Sequence, residues 1–183
     1  MLDRRDRVQF AETYADAASG IATTSGPSLR GVCIGPVSYI GQSQIASDIA
    51  NFKSALDAED VEEGFMTAIG PASCSRMPNE YYATDDELMC ACADAMREEY
   101  RAIIDAGLVL QIDDPAIAEN FDQINPEPTI KDYTAFTMKR VEALNHALRD
   151  LPQERIRFHL CWGSWHGPHS TDIAMRDLSL IHI

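Results

Sequence analysis

Apolar residues fall into four short runs, at residues 30–34, 64–69, 108–112 and 157–161, and a polar loop follows each. Runs of this length bounded by Gly, Pro and Asp predict β-strands. Gly35-Pro36 stops the first, Gly70-Pro71 the second and Asp113-Asp114-Pro115 the third. Between the strands the apolar spacing changes to three and four. Ile45, Ile49, Phe52 and Leu56 make one such stripe, Leu88, Cys92, Met96 and Ile103 a second, and Tyr133, Phe136, Val141, Leu144 and Leu148 a third. That period predicts helices with one face against a sheet. Thr84 with Glu87 predicts a capping box opening the second helix, and Gly107 predicts its stop. Residues 5–19 predict a helix or a loosely attached leading segment, and Thr171-Asp172 the start of a short last helix.

Strand, loop and helix repeating at roughly 40-residue intervals predict an α/β fold with a parallel sheet. Polar and unusual residues gather after the strands: Ser38, Ser73 with Asn79, Asp113, and the cluster after Arg157. A (β/α)8 TIM barrel builds its active site from loops at that carboxyl-end face. A doubly wound sheet ranks second, because no G-x-G-x-x-G follows a first strand. A full barrel needs eight units and ~250 residues. The expectation is therefore one domain over residues 1–183, a partial TIM (β/α)8 barrel of about four β/α units.

Composition changes this picture little: 183 residues, 45% hydrophobic and 24% charged, are enough for one domain with a core. Charge narrows the partners. With 15 basic and 29 acidic residues, a formal charge of −14 disfavours nucleic acid and anionic lipid. No apolar run approaches the ~20 residues that span a bilayer. Residues 1–7 lack the apolar core of a secretory signal, so a cytoplasmic location without membrane partners is expected. Cys33, Cys74, Cys90, Cys92 and Cys161 are odd in number and scattered, unlike a disulfide framework. Cys90 and Cys92 point in different directions from one helix and read as packing residues.

The richest chemistry lies in residues 157–169, Arg-Phe-His-Leu-Cys-Trp-Gly-Ser-Trp-His-Gly-Pro-His. If the fourth strand runs to Cys161, period-two alternation puts His159 and Cys161 on one face. An imidazole and a thiolate together suit zinc better than magnesium or calcium.

Three motifs, residues 34–38 (Ile-Gly-Pro-Val-Ser), 107–115 (Gly-Leu-Val-Leu-Gln-Ile-Asp-Asp-Pro) and 159–161 (His-Leu-Cys), resemble in order and spacing the catalytic domain of cobalamin-independent methionine synthase and its relatives. The resemblance spans about residues 30–177. It implies zinc-dependent alkyl transfer on a barrel, with His159 and Cys161 as metal ligands. It further implies that Asp113 binds the substrate amino group, with Ser38 and Gln111 also on the substrate. The family usually has Asp-Glu-Pro where this chain has Asp113-Asp114-Pro115. By the same resemblance two further zinc ligands, a Glu and a Cys, fall beyond Ile183. Residues 178–183 no longer look like the family and are expected to be a non-native tail of a truncated member.

The implied reaction is attack of a zinc-held thiolate, homocysteine in methionine synthesis, on the methyl of 5-methyltetrahydrofolate in its polyglutamate form. The departing nitrogen needs an acid, for which His166 and His169 are candidates. Asn79, Tyr81, Trp162 and Trp165 would line the pocket. The alternatives are a relative alkylating another thiol, as in opening an epoxide onto coenzyme M, a metal-free decarboxylase-like barrel, or an inactive barrel fragment. Open barrel edges would favour self-association.

Overall fold

The computed structural model describes residues 4–21, 31–162 and 167–179. In chain order its elements are α1 (Arg5–Gln9), α2 (Ala11–Ala15), α3 (Gln42–Asp57), β1 (Phe65–Ile69), α4 (Pro71–Cys74), α5 (Asp85–Asp105), β2 (Val109–Asp113), α6 (Ala116–Gln123), α7 (Ile130–Leu148), β3 (Ile156–His159) and α8 (Met175–Ser179). They fall into two compact units. A sheet unit comprises residues 32–114 and 140–159, and a helical unit comprises the described residues up to 31, 115–139 and those from 160 onward.

The sheet unit is a three-stranded parallel sheet in the order β1-β2-β3 with helices packed on it. Its register sorts the side chains into two faces. Met66, Leu110 and Ile156 align across the strands, as do Ala68, Ile112 and Phe158, and these apolar rows share one face. That face meets Ile45 of α3, Ala93, Met96 and Tyr100 of α5, and Leu144 of α7. Full burial of a side chain such as Leu110 contributes about 1.5–3 kcal/mol. The opposite face carries the rows Thr67, Gln111, Arg157 and Ile69, Asp113, His159.

Helix α5 shows why the sequence folds locally as it does. The Thr84 hydroxyl accepts from Glu87 N–H at 3.1 Å, and the Glu87 carboxylate accepts from Ala83 N–H at 3.0 Å, one residue before the position a capping box uses. Asp85, Asp86 and Glu87 complement the positive end of the helix. At the other end Gly107 takes a left-handed φ of +84°. Its N–H bonds Ile104 C=O and the Leu108 N–H bonds Ile103 C=O, the Schellman arrangement that frees the chain to enter β2.

The expected first strand is reduced to one bridge, Cys33 pairing with Asn79, so the described sheet has three strands where four were expected. Val32 and Ile34 explain the difference: both are exposed, and only Cys33 turns inward. β3 ends at His159, two residues short of expectation, and β2 extends to Asp113. α6 forms in the stretch where the sequence predicts a polar loop, and it buries Ile117 and Phe121.

In the helical unit, Tyr133 packs edge-on against Phe121 at 5.0 Å and donates to Ile117 C=O at 2.5 Å. The Arg5 guanidinium lies over Phe121 and pairs with Glu127 at 3.0 Å. Asp6 is fully buried. Burial alone would raise its pKa, but the Tyr14 hydroxyl and Arg4 outweigh it and hold the carboxyl below the ordinary value. A depressed folded pKa contributes stability that is complete above about pH 4 and is lost as pH falls through the folded value. Asp6→Asn should therefore weaken this unit at neutral pH by about 1 kcal/mol and flatten its acid unfolding. Circular dichroism from pH 7 down to 2 checks this, and curves of equal steepness would contradict it.

No helix among the described residues is long and apolar enough to cross a membrane.

Candidate functional site

Asp113 and His159 are the last residues of β2 and β3 and are register partners. Parallel neighbours in register carry their side chains to the same face, so these two meet at the carboxyl edge of the sheet. His159 Nδ1 lies 2.8 Å from Asp113 Oδ1. A carboxylate only accepts, so Nδ1 donates in this contact and Nε2 lies on the other side of the ring. The side chains are 51% and 41% exposed, and an ion pair that open contributes little to stability. Its consequence is orientation: the ring is fixed, with Nε2 available to a metal ion or a proton.

One row deeper, Arg157 Nε donates to Gln111 Oε1 at 2.6 Å, and the guanidinium covers the Phe65 ring at 3.6 Å from its centroid. The sheet thus presents a polar layer beneath the dyad. Arg157 was missed as a site residue, although the two-residue step from Arg157 to His159 was there to find it.

Below the rim, Asp114 is fully buried and its Oδ1 accepts from Ser73 Oγ at 2.6 Å. Its N–H bonds the His159 carbonyl at 3.3 Å, tying β2 to the end of β3. Tyr100 donates to Ile69 C=O at 2.6 Å, and burial together with the Asp114 charge pushes its phenol well above the ordinary value.

The other expected site residues are distributed differently. Ser38 is exposed in the irregular stretch before α3. Asn79 serves its own turn, its carbonyl oxygen accepting from Tyr81 and Tyr82 N–H at 3.2 and 2.9 Å. Tyr81 is exposed and lies edge-on to Tyr82. No described contact joins these three to the dyad. Cys161, Trp162 and His169 belong to the helical unit. Cys161 lies past the end of β3, so strand alternation does not govern its direction. There Trp162 donates to Ile173 C=O at 2.9 Å, and His169 Nδ1 lies 2.6 Å from Asp172. Trp165 and His166 lie outside the described residues.

Among the described residues, no three His, Cys, Asp or Glu side chains are grouped to hold a metal ion. A cavity of about 330 Å³ opens at the amino ends of the strands, lined by Lys53, Glu63, Gly64, Leu108 and Arg155. Its cations are matched already, Arg155 by Glu63 at 2.5 Å and Lys53 by Ala106 C=O at 2.9 Å. No family model and no curated protein matches the chain.

Proposed function

We propose that the carboxyl edge of the sheet belongs to a zinc-dependent enzyme that transfers a methyl or other alkyl group to a small-molecule thiol. The observation that carries the reading is the His159–Asp113 pair, with Nδ1 engaged and Nε2 left over. Metal-binding imidazoles are held by a carboxylate in this way. The donor types suit zinc and make up half of a ligand set: an imidazole nitrogen from His159 and, two residues along the chain, the Cys161 sulfur. A partial TIM barrel suits the same reading, since the face bearing Gln111, Arg157, Asp113 and His159 would be the barrel interior at its carboxyl end.

When bound, zinc lowers the pKa of a coordinated thiol so that it reacts as thiolate at neutral pH. The chain's own contributions are orientation and charge. Asp113 holds the His159 ring, and its second oxygen can accept from a substrate ammonium. Arg157, paired to Gln111, supplies a fixed positive charge one row below the rim for an anionic group of the substrate. The reaction most like this arrangement takes a methyl from 5-methyltetrahydrofolate to homocysteine, in the cytoplasm.

Zinc titration of the purified chain tests the proposal. Zinc binding weaker than at a three- or four-ligand site is expected, abolished by His159→Ala and by Cys161→Ala and weakened by a further factor of about 10–100 by Asp113→Ala, the usual cost of losing the group that orients a ligand. Zinc binding unaffected by these substitutions would sink it. A second reading, a metal-free His–Asp acid–base pair, draws on the same Nδ1 contact, which also suits a general base. It requires full thiol alkylation in the presence of a chelator.

A further inference from the structure

We propose that Cys74 and Cys92 form a hydroperoxide-reactive thiol pair, in which Cys74 is the attacking sulfur and Cys92 the resolving one. Cys74 closes α4 and is partly exposed, whereas Cys92 on α5 is fully buried. The two helices pack together, and Cys74 lies against the buried cluster of Cys33, Leu88 and Cys92. One sulfur can thus meet an oxidant from solvent while its neighbour is shielded from it. Cys33, the third thiol here, donates to Gly35 C=O at 3.3 Å.

The Cys92 thiol donates to the Cys74 sulfur, which lowers the Cys74 pKa and raises that of Cys92. The nucleophilic form is therefore favoured at the exposed member. Cys90 is also exposed, but it is two residues from Cys92 on α5 and points elsewhere.

In the first step the Cys74 thiolate attacks one oxygen of the hydroperoxide. The O–O bond breaks, the alkoxide or hydroxide leaves and takes up a proton, and Cys74 becomes a sulfenic acid. The Cys92 sulfur then attacks the Cys74 sulfur and expels hydroxide, which combines with the thiol proton as water. Two thiols lose two electrons in all, and the peroxide is reduced to alcohol or water.

The experiment treats the intact chain with limiting hydrogen peroxide, counts free thiols and maps peptides by mass spectrometry. Two of the five thiols should disappear. The linked peptides should contain Cys74 and Cys92, and Cys90→Ser should behave as the parent. In Cys92→Ser, Cys74 should persist as a sulfenic acid that dimedone captures. Cys74→Ser should leave Cys92 reduced. Because Cys92 sits in the core, Cys92→Ala is run beside Cys92→Ser with circular dichroism, and capture at Cys74 is expected in whichever retains the parent spectrum. Oxidation of Cys90 or Cys161 ahead of Cys74, a disulfide between other residues, or no dimedone adduct at Cys74 in the folded Cys92 variant would overturn the proposal.

Discussion

Gly70→Ala should destabilise the sheet unit by about 3 kcal/mol, near the upper end of what overpacking costs. Gly70 has φ −72° and ψ 153°, which alanine adopts freely, so backbone strain plays no part. Space is the problem. A Cβ there would lie 2.4 Å from Asp114 Oδ2, 2.6 Å from its Cγ and 2.8 Å from its Cβ. Asp114 has little room to retreat, because its carboxylate is buried and accepts from Ser73 and its backbone is bonded to His159. Gly64 offers a contrast, since an added Cβ there meets first the Leu56 Cδ1 at 2.5 Å, the far end of a flexible side chain. Urea unfolding measures the effect. In an Asp114→Ala background the Gly70→Ala penalty should shrink, the non-additivity expected of residues in contact. Equal penalties in both backgrounds would mean that the clash with the Asp114 carboxylate is not the cause.

The reach of the sequence is clearest where one periodic face meets one packing partner. The stripe Leu88, Cys92, Met96 and Ile103 is buried as its spacing predicts, and Ile45, Ile49, Phe52 and Leu56 pack on the same core. Asp113 was legible too, as the polar residue closing the third run, and His159 as a candidate ligand inside a fourth run expected to reach Cys161. That each would orient the other was not, because register between strands is absent from any single segment. The first strand misled because Val32 and Ile34 are apolar but exposed, and composition does not reveal which neighbour a run finds. α6 was hidden by the turn signal of Asp113-Asp114-Pro115, since Pro115 also suits the start of a helix. For Cys161 the error is one of extent. The alternation argument needed β3 to continue two residues beyond His159.

Arg97→Met should cost about 3 kcal/mol, and the reason is how α7 ends rather than charge pairing. The last carbonyls of a helix have no intrahelical partner. Here the Arg97 guanidinium, from α5, donates to Ala147 C=O at 2.9 Å and to Arg149 C=O, so one side chain serves one of those orphans and the carbonyl just past the helix. Its third contact, to Asp150 at 3.4 Å, adds little because the Asp150 side chain is 81% exposed. Methionine preserves the apolar stem but leaves both carbonyls without Arg97 as donor, at about 1–3 kcal/mol for the buried Ala147 acceptor and less for that of exposed Arg149. Lysine offers a compact ammonium in place of a planar fork, so Arg97→Lys should fall between the parent and Arg97→Met. Asp150→Asn, which removes the charge and still suits the left-handed φ of +62° there, should change stability by under about 1 kcal/mol. Denaturant midpoints at constant m-value report all three. If Asp150→Asn proved as costly as Arg97→Met, the ion pair would be holding the helix end, and the carbonyl account would fail.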